Sequence, residues 1–212
     1  SRSLGIGGNM RNIPFVKMQG CGNDFVIIDE RTFSLEGANL STLSELICDR
    51  HFGVGADGII LVLASEKADF KMRMFNPDGS EAEICGNGIR CFTRYVYEKS
   101  EEKKEIISVE TLGGTKVPAV IVENGEINGI EVDMGIPLNE GLNEPLSIEG
   151  FDFKINKISM GNPHCVIFAD DLSKIETSKI GPLIENLPQF PHRTNVEFAQ
   201  VINRSEINLK VW

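Results

Sequence analysis

The sequence predicts an α+β fold in which antiparallel sheets curl over a helix. Three observations carry this. Many short apolar or alternating runs stand between turn residues, while few segments show helical spacing. Asn124-Gly125 is a strong hairpin signal between two of those runs. Met18–Val26 (MQGCGNDFV) is echoed by Met160–Val166 (MGNPHCV), each setting Gly-Asn just before an apolar strand, which suggests two related halves.

The elements follow in order. Phe25–Asp29 (FVIID) comes after a Gly-Cys-Gly-Asn turn and reads as a strand. Thr42 and Glu45 suit a capping box, with Leu43, Leu46 and Ile47 at helical spacing up to Arg50. Phe52–Gly58 is a glycine-rich loop, and Ile59–Leu63 a strand. Phe70–Phe75 alternates as a half-buried strand does. Ile89, Phe92 and Val96 share one face of a helix running from about Gly88 to Glu98. Glu105–Leu112, Lys116–Val122, Gly129–Met134, Phe151–Met160, His164–Ala169, Asn195–Ile202 and Ile207–Trp212 read as strands, with a short helix within Lys174–Asn186.

Composition narrows the function classes. The chain has 212 residues, 41% of them hydrophobic, which is ample for one large domain or two small ones. Its net charge of −10 argues against a nucleic-acid partner, whose phosphates need a basic face, and against an anionic membrane surface. No apolar run approaches a membrane span of roughly 18 residues. The opening SRSLGIGGN is a poor secretory signal and reads as a tag or linker remnant ahead of Met10. Five cysteines, odd in number and irregular in spacing, fit a reducing cytoplasm better than a disulfide framework. With three histidines and no C-x-x-C pair, a structural zinc site is disfavoured.

The chemistry gathers at Asn76–Cys91, NPDGSEAEICGNGIRC. Cys85 immediately precedes Gly86-Asn87-Gly88 and an apolar helix. A helix start exposes unpaired N–H groups and partial positive charge, which stabilise a thiolate and can hold a substrate carboxylate. The glycines admit a ligand to the backbone, and Asn87 adds a donor. A base beside a carboxylate nest suits proton abstraction next to a carboxyl group. Cys91 and Cys48 fall inside helices and read as packing, while Cys21 in its turn is ambiguous. Asn76 opens a turn and gains interest from its nearness to Cys85 in sequence; Asn162-Pro163-His164 and Asn195 are turn or strand-opening residues open to either role. The run EKSEEKKE at 98–105 reads as a solvated connection.

These residues resemble the diaminopimelate epimerase family. The pattern N-x-D-G-S-x-x-x-x-C-G-N-G-x-R is met at every fixed position from Asn76 to Arg90, and Met18-Gln-Gly-Cys-Gly-Asn-Asp-Phe, Gly53-Val-Gly-Ala-Asp, Met160-Gly-Asn-Pro-His and Arg193-Thr-Asn support it. The resemblance implies two similar domains, each a curled, mostly antiparallel sheet around a central helix. On this chain they would run over 10–126 and 127–212, after a remnant at 1–9.

The resemblance further implies a cytoplasmic isomerase of lysine and peptidoglycan precursor synthesis. It would interconvert LL- and meso-diaminopimelate without pyridoxal phosphate, metal or other cofactor, with a small amino acid as its partner and a possible homodimer. One cysteine thiolate removes the α-proton and a second cysteine returns one to the opposite face. By motif position Cys85 is the first of that pair and His164 its partner. Gly86 and Asn87 match binders of the reacting carboxylate; Asn23, Asn76, Asn162 and Asn195 match residues that hold the rest of the substrate. Gly58 stands where some members carry a Gln. The family pattern continues past a strand like Ile207–Trp212 into E-R-G and A-C-G-T-G, which supply the second cysteine. The echo, carried forward, also places that cysteine beyond Trp212. The second domain is therefore expected to be incomplete and this 212-residue chain inactive or nearly so. Two alternatives stay open: a related proline- or hydroxyproline-type racemase, and a non-catalytic amino-acid-binding domain.

Overall fold

The computed structural model describes residues 5–6, 9–10, 12–191 and 193–212. Most of the opening SRSLGIGGN, read as a tag or linker remnant, and His192 lie outside them. The chain divides into two compact units, Ser1–Met134 and Gly135–Trp212.

In the first unit a small ladder, β1 (Gly5–Ile6) with β2 (Asn9–Met10), precedes the main sheet. Then come β3 (Val16–Gly20), β4 (Asn23–Asp29), α1 (Leu40–Cys48), β5 (Gly58–Leu63), β6 (Phe70–Phe75), β7 (Glu81–Ala82) and α2 (Gly86–Lys99). The unit closes with β8 (Val109–Thr111), β9 (Gly114–Lys116), β10 (Ala119–Glu123) and β11 (Glu126–Glu131). The sheet order is β3-β4-β5-β6-β8-β9, with β7 on β6. β4–β5 and β6–β8 are parallel and the other pairs antiparallel.

The near-continuous apolar runs of β4 and β5 are explained by burial of both sheet faces. Phe25, Ile27, Ile60 and Val62 pack towards α2, with Ile89, Phe92 and Val96. Val26, Ile28, Ile59 and Leu61 pack towards α1, with Leu43 and Ile47. The β10–β11 hairpin closes over α2 from another side through Val120, Val122 and Ile127. α2 is thus the central helix, wrapped by strands.

Four local readings are corrected. α1 is capped by Asn39, whose side chain accepts from the Thr42 N–H at 3.1 Å, so Thr42 lies inside the helix rather than at a capping box. α2 begins at Gly86, two residues earlier than read from its apolar face. The expected strand Lys116–Val122 is split, because Pro118 has no N–H; one part pairs with β8, the other with β11. The unit boundary falls at Met134, past 126, because the Asn124-Gly125 turn keeps both hairpin strands in one unit.

The second unit holds β12 (Leu138–Ile148), β13 (Phe151–Ser159), β14 (Pro163–Phe168), a 3-10 turn at Leu172–Lys174, α3 (Thr177–Glu185), β15 (Asn195–Asn203) and β16 (Glu206–Val211). They form one sheet in sequence order, with β14–β15 parallel across the α3 crossover. One face packs Ile155, Cys165, Ile167, Val196 and Phe198 against Leu172, Ile180, Ile184 and Phe190. The register puts Val166, Phe168, Leu209 and Val211 on the other face. No helix of the described residues in this unit covers that face, and Phe168, Val201, Ile207, Leu209 and Val211 are exposed there.

Candidate functional site

Each unit carries its own cluster. In the first, Cys85 is the N-cap of α2, in extended conformation (φ −135°, ψ 124°). Its Sγ accepts from the Gly88 N–H at 3.4 Å, and its carbonyl accepts from Ile89 N–H at 2.8 Å. The residue is half-buried, and no acidic residue in the first turn offsets the positive end of the helix. Gly88 lets the helix start pack closely: a Cβ there would sit 3.3 Å from both Cys85 Cβ and Met74 Sδ. Two clefts, of about 220 Å³ at the far end of α2 beside Tyr97 and about 150 Å³ beside Arg90 and Arg94, are not lined by Cys85.

Asn87, in the first turn, donates from Nδ2 to Asn23 Oδ1 at 2.6 Å. Asn23 Nδ2 donates in turn to Asp57 Oδ2 at 3.3 Å, and Arg90 Nη2 donates to Asn87 Oδ1. Arg50 holds the other Asp57 oxygen at 2.7 Å. A guanidinium only donates and a carboxylate only accepts, so these two ends fix the sense of both amides between them. Arg50 also binds Asp24 at 2.7 Å and, ahead of Lys17, holds that carboxyl well below its usual range against the opposing cost of burial. Asn76 stands apart from this chain: its Nδ2 donates to Ser80 Oγ at 3.0 Å within its own turn, and its carbonyl accepts from Ser44 Oγ at 2.7 Å. Gly79 (φ +80°) is needed in that turn, because a Cβ would lie 2.2 Å from Ser41 Oγ.

In the second unit, His164 and Asn195 face each other across the parallel pair β14–β15. His164 Nε2 is 3.1 Å from Asn162 Oδ1, and Nδ1 is 2.7 Å from Glu197 Oε1. Asn195 Nδ2 donates to the Pro163 carbonyl at 3.0 Å, which pins the amide to the neighbouring strand.

The structure thus joins Cys85, Gly86, Asn87 and Asn23 in one unit, and Asn162, His164 and Asn195 in the other. Asp57, Arg90 and Glu197 were assigned no role from the sequence. Glu197 had a signal: a charge within the apolar strand Asn195-Val-Glu-Phe-Ala. Cys48 and Cys91 are buried, as their packing reading expected, and Cys165 is buried with them. Burial pushes each thiol up, Cys165 to about 12 with the Glu197 charge adding to it. Cys21 is exposed in a left-handed turn (φ +52°), with Arg90 Nη2 at 3.3 Å from its sulfur. Among the described residues no group of three His, Cys, Asp or Glu is placed to hold a metal, and no helix is long and apolar enough to cross a membrane.

The fold is shared with solved racemase- and PhzF-type proteins. A probable proline racemase from Agrobacterium radiobacter K84 superposes with a TM-score of 0.70 at 13% identity, over 94% of this chain and 70% of that one. A Bacillus anthracis phenazine biosynthesis protein of the PhzF family does so at 0.67 and 18%, over the same shares. At these identities the likeness defines the architecture, a two-domain α+β fold. Sequence narrows it. The diaminopimelate epimerase family model matches residues 15–138 and 157–212. Diaminopimelate epimerases of Moorella thermoacetica and Carboxydothermus hydrogenoformans are 49% and 50% identical over 210 residues, covering 93% of this chain and 75% of each relative. The chain belongs to the diaminopimelate epimerase family, and so to the isomerases.

Proposed function

We propose that the protein interconverts LL- and meso-diaminopimelate by removing and returning the α-proton, with no cofactor, in the cytoplasmic supply of lysine and cell-wall precursors. The observation that carries this reading is the half-buried Cys85 sulfur at the N-terminus of α2, with the Gly86-Asn87-Gly88 backbone beside it.

In this reading the thiolate of Cys85 takes the α-proton. The pair electrons left on the α-carbon delocalise into the adjacent carboxylate, whose growing charge is met by the first-turn N–H groups and Asn87. Asn23 orients Asn87, and His164, in the second unit, takes the role of the histidine that the family resemblance assigns to the reaction. Asn76, Asn162 and Asn195 serve the far end of the substrate; neutral amides both donate and accept, which suits an amino acid's ammonium and carboxylate together.

Inversion needs an acid on the opposite face, held protonated while the base is ionised. Cys48, Cys91 and Cys165 are poorly suited, being buried, and Cys21 opens no helix. The second thiol of the proposed pair therefore has no good candidate within these 212 residues, and the chain by itself is expected to epimerise very poorly.

Two measurements test the reading. In the full gene product, Cys85→Ala should abolish meso-isomer formation from the LL isomer; near-normal turnover sinks it. In the 212-residue chain, iodoacetamide should label Cys85 well before Cys48, Cys91 and Cys165. An inert Cys85 would favour a binding module instead.

A further inference from the structure

We infer that Glu197 is a positioning residue for His164: it holds a proton on Nδ1 and leaves Nε2 as the nitrogen that gains and loses one. This rests on the reading of His164 as part of the reacting site.

The two residues sit on neighbouring parallel strands. The register pairs His164 with Asn195 and Val166 with Glu197, so all four side chains share one sheet face. Glu197 lies one pleat further along β15 and reaches back to the ring, placing Oε1 2.7 Å from Nδ1. That is the length of a charge-assisted bond. An ionised carboxylate can only accept, so Nδ1 must be the donor.

Burial makes the contact selective. The Glu197 side chain is 15% exposed and that of His164 is 26% exposed, so water competes weakly. The second carboxylate oxygen, Oε2, is buried with no hydrogen-bond partner among the described residues. A carboxylate oxygen in that state is costly, and the imidazole is the only hydrogen-bond partner Glu197's carboxylate has in the unit as described. A glutamate with a purely structural role in this strand would be expected to have a backbone or Lys/Arg partner as well.

The opposite side of the ring differs in kind. Nε2 faces the amide of Asn162 at 3.1 Å. An amide offers an oxygen when Nε2 is protonated and, turned over, an N–H when it is not. One ring nitrogen therefore meets a group that tolerates a single state, and the other meets a group that tolerates both. The asymmetry decides which nitrogen exchanges its proton.

The test is a long-range ¹H–¹⁵N correlation on the chain with ¹⁵N-labelled histidine, at a pH where the ring is neutral, with the His164 signals assigned by their loss in His164→Gln. The expected spectrum has a protonated Nδ1 and a bare Nε2. In Glu197→Ala the ring should shift to the Nε2–H form. In Glu197→Gln, whose amide can donate as well as accept, the preference for Nδ1 should weaken to a mixture of the two tautomers. A wild-type ring protonated at Nε2, or an unchanged tautomer in Glu197→Ala, overturns the inference. Should Glu197→Ala not fold, wild type and Glu197→Gln still decide it, since an Nε2–H ring in wild type, or a tautomer unchanged in Glu197→Gln, is sufficient to reject it. Turnover of His164→Gln in the full gene product tests the catalytic reading separately: normal turnover would overturn that reading and leave the Nδ1 assignment intact.

Discussion

The two units repeat one chain path and cover it differently. In the first, β3–β4 is antiparallel, β4–β5 parallel across α1, and β5–β6 antiparallel. In the second, β13–β14, β14–β15 across α3, and β15–β16 follow the same pattern. The Gly-Asn echo falls at the same point of each, just ahead of the strand that enters the parallel pair, and Phe25↔Gly58 in one matches His164↔Asn195 in the other. α1 and α3 cover corresponding faces. The first unit has a second helix, α2, on the opposite face, and that helix brings Cys85 with it. In the second unit the corresponding face carries His164, Asn195 and Glu197 alongside exposed Val, Leu, Ile and Phe side chains. A shared scaffold therefore bears different chemistry: one face is filled by a helix that starts with a thiol, the other lined by an imidazole and its carboxylate.

Core truncations should separate the two faces most sharply. Phe92, fully buried on α2, should lose about 3–5 kcal/mol on Phe92→Ala, whereas Phe168, 59% exposed on the open face, should change by less than about 0.5 kcal/mol on Phe168→Ala. Urea titrations of both variants check this, and similar losses would mean that the second face is covered after all.

A smaller effect concerns acid. Asp69 ties the start of β6 to the segment before β8, accepting from Ser108 Oγ and N at 2.7 and 2.8 Å and from Lys104 Nζ at 2.9 Å. The Ser108 hydroxyl first, then its N–H and Lys104, hold this carboxyl down at about 2. A carboxyl lowered on folding stabilises above its unfolded value of about 3.9 and loses that contribution as pH falls through the folded value. Melting temperatures of wild type and Asp69→Asn should therefore differ at neutral pH and converge between roughly pH 4 and pH 2. A gap that persists at pH 2 would contradict the ion-linked role.

Asp57→Asn probes the amide chain of the first unit. The asparagine can donate as well as accept, so the sense of Asn23 and Asn87 is no longer forced. KM in the full gene product should rise several-fold with little change in melting temperature, because Asp57 is 37% exposed and its pairing contributes about 1 kcal/mol or less. An unchanged KM would mean that Asp57 does not orient the amides.

The weakest expected effect is association through the open face. Sedimentation velocity should show the 212-residue chain self-associating as concentration rises, and Leu209→Lys, on that face, reducing it. Identical profiles for both proteins would indicate that the face does not drive contacts.

Local pattern made much of this legible. Apolar runs marked β4 and β5, alternation marked β6, helical spacing marked α2, and the Gly-Asn-Gly context put Cys85 at its start. The echo anticipated the repeated path. Each of these signals lies within a window of a few residues, where strand alternation, helix capping and glycine conformation act. The alliances that orient the site were not legible, because they join distant parts of the chain. Asn23 meets Asn87 across 64 residues, Asn23 meets Asp57 across 34, and His164 meets Glu197 across 33. Only the parallel registers of β4–β5 and β14–β15 and the seating of α2 bring them within hydrogen-bond reach. Coverage was likewise a tertiary matter: Phe92 and Phe168 are the same residue type, and which one is core depends on whether a second layer packs against its face.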